Sequence, residues 1–278
     1  MQKVAIVTGA NQGLGLALVR SLCQQLGEQG VVYLTARDRQ RGEAAVQQLQ
    51  AAGLSPEFQL LDVTDDRSMS ALAALLEQRH GGVDIVIGNA AARIVPDVAA
   101  AQQVAQFIDT NNHGTYRLIK VFTPLLRDGA RFLVVASSFG SLRHLPSQLH
   151  RLFDGEHITL EAIETVMDEY VQLVESGQAA TAGWPDWINI PSKIGQVAAI
   201  RVMARLLRAE AERRDILINA VCPGLVDTDA SRPWFTDMSS AQSPDQAAVD
   251  VVWLATLPEG TRAPYGELVQ HRQVIPFR

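Results

Sequence analysis

The stretch VAIVTGANQGLGLALVR, residues 4–20, decides the fold of this chain. Its apolar start at 4–7 is typical of a buried strand, and the apolar spacing that begins at Leu16 is typical of a helix. Gly9, Gly13 and Gly15 lie in the turn between them, where glycine lets the backbone approach a pyrophosphate at the start of the helix. The stretch therefore predicts a dinucleotide site; the alternative is a tight turn without a ligand.

Short apolar strands alternate with amphipathic helices along the rest of the chain. The pattern predicts strands at 4–9, 31–37, 57–63, 83–91, 131–138 and 216–224, and helices at 16–26, 42–52, 68–80, 104–126 and 192–212. Nearly continuous apolar strands separated by helices indicate a parallel sheet that is covered on both faces. We therefore expect the α/β class, with one doubly wound parallel sheet of the Rossmann type in a single domain over residues 1–278.

Residues 141–186 interrupt this alternation before the helix at 192–212. They include an extra helix at 158–177, for which Thr159 is a suitable N-cap, and a loop rich in Gly, Trp and Pro. An insertion at the carboxyl edge of a parallel sheet is expected to overhang the ligand crevice. We therefore expect 141–186 to cover the substrate crevice, the alternative being surface decoration.

Composition excludes several classes of function. The chain has 278 residues, 47% hydrophobic and 19% charged, and a formal net charge of −6. That charge argues against a nucleic-acid partner and gives no reason to expect an anionic membrane surface as one. No run of about 18 apolar residues and no signal sequence is present, so we expect a cytoplasmic protein without a membrane span.

Other site chemistries also find no support in the sequence. The six histidines have no ligand spacing such as H-E-x-x-H, so no metal site is expected. No G-x-S-x-G motif indicates a serine hydrolase. Cys23 and Cys222 lie far apart in apolar contexts, which favours two reduced, buried thiols over a disulfide.

In folds of this kind, the residue at the end of the second strand contacts the adenosine ribose. An acidic residue there accepts from a ribose 2′-hydroxyl, whereas an arginine suits a 2′-phosphate. The strand ends at Arg37, which with Asn11 in the glycine loop favours NADP(H) over NAD. Asp38 follows and can point away; the alternative is that Arg37 is a solvated surface residue.

These motifs resemble the short-chain dehydrogenase/reductase family, and most closely its carbonyl-reductase branch, nearly end to end. TGANQGLG (8–15), LTARD (34–38), GNAA (88–91), TNNHGT (110–115) and CPGLVDTD (222–229) carry the resemblance. GNAA departs from the family's NNAG at its last residue, Ala91. The resemblance and the glycine loop together give these expected cofactor-binding residues: Gly9, Asn11, Gln12, Gly13, Leu14, Gly15, Arg37, Asp62, Val63, Asn89, Ala90, Ala91, Lys193, Pro223, Gly224, Val226 and Thr228.

The same resemblance implies a catalytic set of Asn111, Ser138, Asn189 and Lys193. In the family, a serine positions the substrate carbonyl, and a tyrosine four residues before the lysine donates the proton. Here Asn189 occupies that tyrosine position. An asparagine amide donates a hydrogen bond but does not deliver a proton, so the expected acid is missing.

Two readings of Asn189 stay open at this point. It is a good N-cap, with Pro191 at the start of a helix, and it can also line the cleft. Tyr33, Tyr116, Tyr170 and Tyr265 lack the lysine spacing, while His144 and Asp186 are weaker candidates for the acid.

Three functions follow from this sequence. The first is an NADPH-dependent reductase of C=O or C=N groups whose proton comes from Lys193, His144 or water. The second is an imine- or iminium-selective reductase, because an iminium carbon needs only hydride. The third is a non-redox NADP-binding protein. We expect Trp184, Trp187, Trp234 and Phe235 near the mouth of the crevice, where they suggest a bulky or aromatic small-molecule substrate; the alternative is that they only pack. The family's insertion implies a monomer.

Overall fold

The fold is built on one sheet. A computed structural model describes residues 2–278, and within them eight strands form a sheet in the order β3-β2-β1-β4-β5-β6-β7-β8. All neighbours are parallel except β7 and β8, which pair antiparallel at the edge. The strands are β1 (Lys3–Val7), β2 (Gly30–Ala36), β3 (Glu57–Leu60), β4 (Val83–Gly88), β5 (Leu126–Val135), β6 (Leu217–Val221), β7 (Leu268–Gln270) and β8 (Gln273–Ile275). The doubly wound, Rossmann-type class is confirmed, and β7 and β8 are additions that the sequence pattern missed.

Helices cover both faces of this sheet, and each face has its own apolar core. The helices are α1 (Gly13–Leu26), α2 (Arg39–Ala51), α3 (Asp66–His80), α4 (Ala100–Ile108), α5 (Gly114–Phe122), α6 (Leu160–Glu175), α7 (Asn189–Arg214) and α8 (Pro244–Ala255). Leu18, Val46 and Val251 bring α1, α2 and α8 into one core. Residues of α3 to α7 fill the other. Two buried faces explain the nearly continuous apolar runs in the inner strands, such as 4–7 of β1.

A crevice opens at the carboxyl ends of the neighbouring strands β1 and β4, where the loops that follow them leave the sheet. The Thr8 hydroxyl accepts from the backbone N–H of Asn89 and of Ala90, at 2.9 Å each. In return, the Asn89 amide donates to the carbonyls of Thr8 (2.9 Å) and Gly9 (3.1 Å). These hydrogen bonds fix the two loops that line the crevice.

The central helix is interrupted where the candidate residue Asn111 lies. The sequence predicts one helix over 104–126, but the structure has α4, a π-helical turn at Asp109–His113, and then α5. Turns of this kind insert one residue into a helix and are frequent at functional sites. A period-3.6 pattern does not reveal one extra residue, so the interruption was missed.

The start of α7 corrects one reading of Asn189. The helix begins at Asn189 itself, and the cap position falls to Ile188, which makes no side-chain capping hydrogen bond. Asn189 is therefore not the N-cap, and the expected start at 192 was too late. Pro191 lies in the first turn, where the backbone N–H groups have no helical partner, so proline is tolerated there.

A buried polar pair joins α7 to the central helix. Ser192 donates its hydroxyl to Asn112 Oδ1 at 2.7 Å, and Asn112 Nδ2 donates to the Ser192 carbonyl at 3.0 Å. Both side chains are fully buried. Since unpaired buried polar groups are costly, the pair sets the register of the two helices that carry Asn111 and Lys193.

The inserted segment supplies α6, and Thr159 is its N-cap as expected, accepting from the Ala162 N–H. The helix packs on α4 and α7 through Ile163, Met167 and Tyr170, which are fully buried. The expectation placed 141–186 over the substrate crevice. None of these residues, all within the described 2–278, lines the central cavity, because α6 lies against the helical layer beside it.

Candidate functional site

A groove runs along the carboxyl ends of β1, β2 and β4. It gathers the predicted cofactor residues Gly9, Asn11, Gln12, Gly13, Leu14, Gly15, Arg37, Asp62, Val63, Asn89, Ala90, Ala91, Lys193 and Thr228. The remaining three, Pro223, Gly224 and Val226, line the adjoining cavity. The structure thus brings together residues from six separate segments of the chain.

The glycine turn has no room for side chains at its two critical points. A Cβ on Gly9 would lie 2.7 Å from the Cα of Ala90, and the residue has a φ of +62°. A Cβ on Gly15 would lie 2.6 Å from both Asn89 Nδ2 and the Gly9 carbonyl. Glycine is therefore required here by the close approach of β1 and β4. At these two positions, the floor of the groove consists of backbone atoms that no side chain covers.

Two arginines lie at the far end of the groove. Arg37 and Arg41 both line a polar recess there, together with Asn11 and Gln12. Asp38 points elsewhere, since its carboxylate accepts from the Arg41 N–H at 3.0 Å and caps α2. Arg41 was not among the predicted residues. Its position four residues after Arg37, in the first turn of α2, is the signal that would have found it.

The groove continues into a central cavity of about 430 Å³. Leu14, Arg93, Lys193 and Thr228 line both spaces, so the two are continuous. The four predicted catalytic residues, Asn111, Ser138, Asn189 and Lys193, all line this cavity. They come from the π-turn, the end of β5 and the first turns of α7.

Lys193 is the one titratable side chain among these four residues. Its Nζ donates to Gln196 Oε1 at 2.8 Å and to the Val135 carbonyl at 3.5 Å. No carboxylate compensates its charge in this part of the described chain. Burial therefore lowers the pKa of Lys193 to about 8.

The other three polar residues differ in how free they are. The Asn111 side chain is buried, and its Oδ1 accepts from the Ala92 N–H at 2.8 Å, so it shapes the loop after β4. Ser138 opens a short 3₁₀ turn and lines the cavity together with Cys222. Asn189 is half-buried and turns toward the cavity. Ser138 and Asn189 are thus placed to meet a ligand.

The alternative acids lie elsewhere. His144 packs on Phe139 at a ring distance of 5.2 Å, and burial followed by the Arg143 charge lowers its pKa. Burial raises the pKa of Tyr116 and of Tyr170 well above the ordinary value. None of these side chains, nor Asp186, is among the described residues that line the cavity.

Aromatic side chains form one wall of the cavity. The Trp187 ring packs against Phe139 at 5.0 Å and against Trp234 at 6.1 Å, and all three line the space with Phe235. Trp184 does not contribute, because it is buried within the insertion, with its ring 4.7 Å from that of Tyr170 on α6. The prediction was right for Trp187, Trp234 and Phe235 and wrong for Trp184. It missed Phe139, which directly follows Ser138.

The charged lining of the cavity is cationic. Arg93 and Lys193 contribute to it, and no carboxylate is found among the lining residues of the described chain. Arg93 has only a long ion pair, 3.8 Å to Asp229.

Within residues 2–278, no cluster of three His, Cys, Asp or Glu side chains is placed to hold a metal ion, and no helix has the length and hydropathy to cross a membrane.

Comparison with known proteins agrees with this geometry. The family model for short chain dehydrogenases matches residues 3–149. Carbonyl reductase (NADPH) 1 of Rattus norvegicus is 39% identical over 99% of this chain and 98% of its own length, and the Homo sapiens protein is 38% identical over 98% and 97%. The structure of salutaridine reductase from Papaver somniferum superposes with a TM-score of 0.82 at 26% identity, covering 96% of this chain and 99% of its own.

The uncompensated charge of Lys193 gives a stability prediction. Because the folded pKa lies below the ordinary 10.5, the unfolded chain binds this proton more readily. The cost to folding is full below pH 8 and fades as the pH rises toward 10.5. Lys193→Met should therefore raise the free energy of unfolding by about 1–3 kcal/mol at pH 7, with the gain shrinking at pH 10, in urea denaturation.

Lys120→Met is the matched control, because Lys120 is exposed on α5 and should give no comparable gain. A Lys193→Met gain that is equal at both pH values would contradict the buried-charge explanation.

Proposed function

The chain belongs to the short-chain dehydrogenase family, and we propose that it is an NADPH-dependent reductase of a carbonyl group in a bulky or aromatic small molecule. One observation carries the proposal. A cofactor groove with a glycine turn opens into an aromatic-walled cavity that also holds Ser138, Asn189 and Lys193. The relatives named for NADPH-dependent carbonyl reduction span the same length of chain.

NADP(H) is the cofactor that the groove fits. The close approach at Gly9 and Gly15 leaves bare backbone for a pyrophosphate, and the start of α1 attracts its charge. Arg37 and Arg41 provide two guanidinium groups for a 2′-phosphate, while Asp38 is committed to capping α2. When bound, the cofactor supplies the hydride.

The residues of the cavity then act on the carbonyl oxygen. The Ser138 hydroxyl and the Asn189 amide are hydrogen-bond donors that stabilise negative charge as it develops there. Asn189 stands where the family has its tyrosine, so neither donor is an acid. Lys193 is the proton source, because its ammonium has a pKa of about 8 and lines the same cavity.

The cationic lining distinguishes carbonyl from iminium substrates. An iminium carries its own positive charge and would meet Arg93 and Lys193 with no carboxylate to offset them. A neutral ketone, aldehyde or quinone has no such penalty. A neutral cyclic imine remains the second candidate, since Lys193 can protonate it as the hydride arrives.

We also infer that the protein is a monomer. The resemblance implies that the insertion covers the surface that other members of the family use to dimerise. Here α6 packs on both α4 and α7, and buries Ile163, Met167 and Tyr170 against them. A partner would have to displace this apolar contact before reaching the same surface.

The proposal is tested by following NADPH oxidation with aromatic ketones, quinones, neutral cyclic imines and preformed iminium salts. Turnover of ketones or quinones is expected, with iminium salts slowest because of the cationic lining. Tight NADPH binding without turnover of any substrate would sink the reductase assignment and leave a binding protein.

Asn189→Tyr tests the missing acid. A phenol at this position lies four residues before Lys193, whose charge lowers a phenol's pKa, so a general acid is restored. We expect ketone reduction to rise by roughly 10²-fold or more, within the ~10²–10⁴ typical of general acid catalysis. Asn189→Phe supplies the ring without the hydroxyl and should give no gain. Equal rates for Tyr and Phe would refute this assignment of position 189.

Arg37→Ala tests the cofactor preference. Loss of the guanidinium removes charge-assisted hydrogen bonds to a 2′-phosphate, which are worth about 1.5–3 kcal/mol. The KM for NADPH should rise by roughly 10- to 100-fold while that for NADH changes little. Arg39→Ala is the control, because Arg39 is exposed on α2 and pairs with Glu43 outside the groove. An unchanged ratio of NADPH to NADH affinity would contradict the role of Arg37.

A further inference from the structure

The surroundings of Lys193 contain two buried polar side chains that the mechanism above does not use. Gln196 lies one turn further along α7 and is 3% exposed, and Thr115 lies on α5 and is 6% exposed. Neither lines the cavity, and neither is among the predicted site residues, although Thr115 is the last residue of the TNNHGT motif. Buried amides and hydroxyls need hydrogen-bond partners, so their contacts show what holds them there.

The contacts form one continuous chain from the central helix to Lys193. The Thr115 hydroxyl donates to the Asn111 carbonyl at 2.6 Å, in the π-turn. Gln196 Nε2 donates to that same hydroxyl oxygen at 3.0 Å, and Gln196 Oε1 accepts from Lys193 Nζ at 2.8 Å. In this series of hydrogen bonds, each group must donate or accept according to what its neighbour does.

Thr115 fixes which end of the Gln196 amide faces Lys193. Because the Thr115 proton goes to the Asn111 carbonyl, its oxygen is left to accept, and the Gln196 NH₂ group must donate to it. The amide oxygen is then the only end of Gln196 that can face the ammonium. The reversed amide would set its NH₂ against the Lys193 ammonium, donor to donor, which is strongly unfavourable.

The consequence for Lys193 concerns both direction and proton affinity. An ammonium has three N–H donors. Two are engaged by Gln196 and by the Val135 carbonyl, and the described chain provides no third partner, which leaves one donor for a ligand in the cavity. An acceptor at 2.8 Å also stabilises the charged form against the burial that disfavours it.

We propose that Gln196 and Thr115 are positioning residues, which orient the Lys193 ammonium into the cavity and set the ease with which it releases its proton. The inference rests on the reductase function proposed above, where Lys193 is the proton source. The two residues act through Lys193 and are not themselves in contact with the cavity.

The chain offers a direct measurement, because its three lysines are Lys3, Lys120 and Lys193. Competitive acetylation with limiting acetic anhydride from pH 6 to 10, read by peptide mass spectrometry, reports the titration midpoint of each amine. Lys3 and Lys120 are exposed and serve as internal controls. The reagent needs no turnover, so the result is independent of the substrate.

Substitutions at Gln196 should move the midpoint of Lys193 in opposite directions. Gln196→Glu places a carboxylate on the ammonium and should raise the midpoint by about 1 pH unit or more. Gln196→Leu removes the acceptor and should lower it. Thr115→Val, which frees the amide to reorient, should lower it less, and Thr115→Ser should restore the wild-type value. Where the Leu variant does not fold, as judged by circular dichroism, the near-isosteric Glu and Val variants still decide.

The pH at which kcat falls should move in the same sense as the labelling midpoint. A structural role alone would lower kcat by the same factor at every pH and leave the midpoint fixed, and that result would overturn the inference. If the midpoints shift but no substrate is turned over with NADPH, the positioning role of Gln196 and Thr115 stands and the proposed reductase function is refuted. If substrate is turned over but the midpoints do not move, the reductase function stands and the positioning role is refuted.

Discussion

The close approach of β1 and β4 at their carboxyl ends is the constraint from which the site follows. The strand order places these two strands side by side, although two strands and three helices separate them in the sequence. Their loops leave toward opposite sides of the sheet, and such switch points create a crevice. The contact of Gly9 with Ala90, and the hydrogen bonds between Thr8 and Asn89, keep that crevice at a fixed width. Every other part of the site is placed relative to it.

The features that were predictable from the sequence are those that local patterns encode. Apolar runs gave the first six strands, and the spacing of Gly9, Gly13 and Gly15 located the groove. The four candidate residues Asn111, Ser138, Asn189 and Lys193 do meet in one cavity. The segments that follow β1, β2, β4 and β5 meet because parallel strands all end at the same edge of the sheet.

The features that were missed depend on contacts between distant segments. Trp184 and Trp187 are three residues apart in one loop, yet one is buried under α6 and the other lines the cavity. Pro191 was read as a helix start, although a first turn accepts proline at several positions. The hydrogen bond between Gln196 and Thr115 joins residues 81 positions apart. No local pattern carries such information.

Asn189 and Gln196 have a common physical effect on Lys193. A tyrosine beside a lysine would draw on the ammonium charge to lower its own pKa, whereas an amide at 189 makes no such demand. Burial lowers the pKa of Lys193 to about 8, and the neutral Asn189 amide adds no negative charge that would offset the effect. An amide acceptor at 196 keeps that fall from going further, because it stabilises the ammonium without neutralising it. With neutral amides at 189 and 196, the Lys193 ammonium keeps a pKa at which it can release its proton near neutral pH.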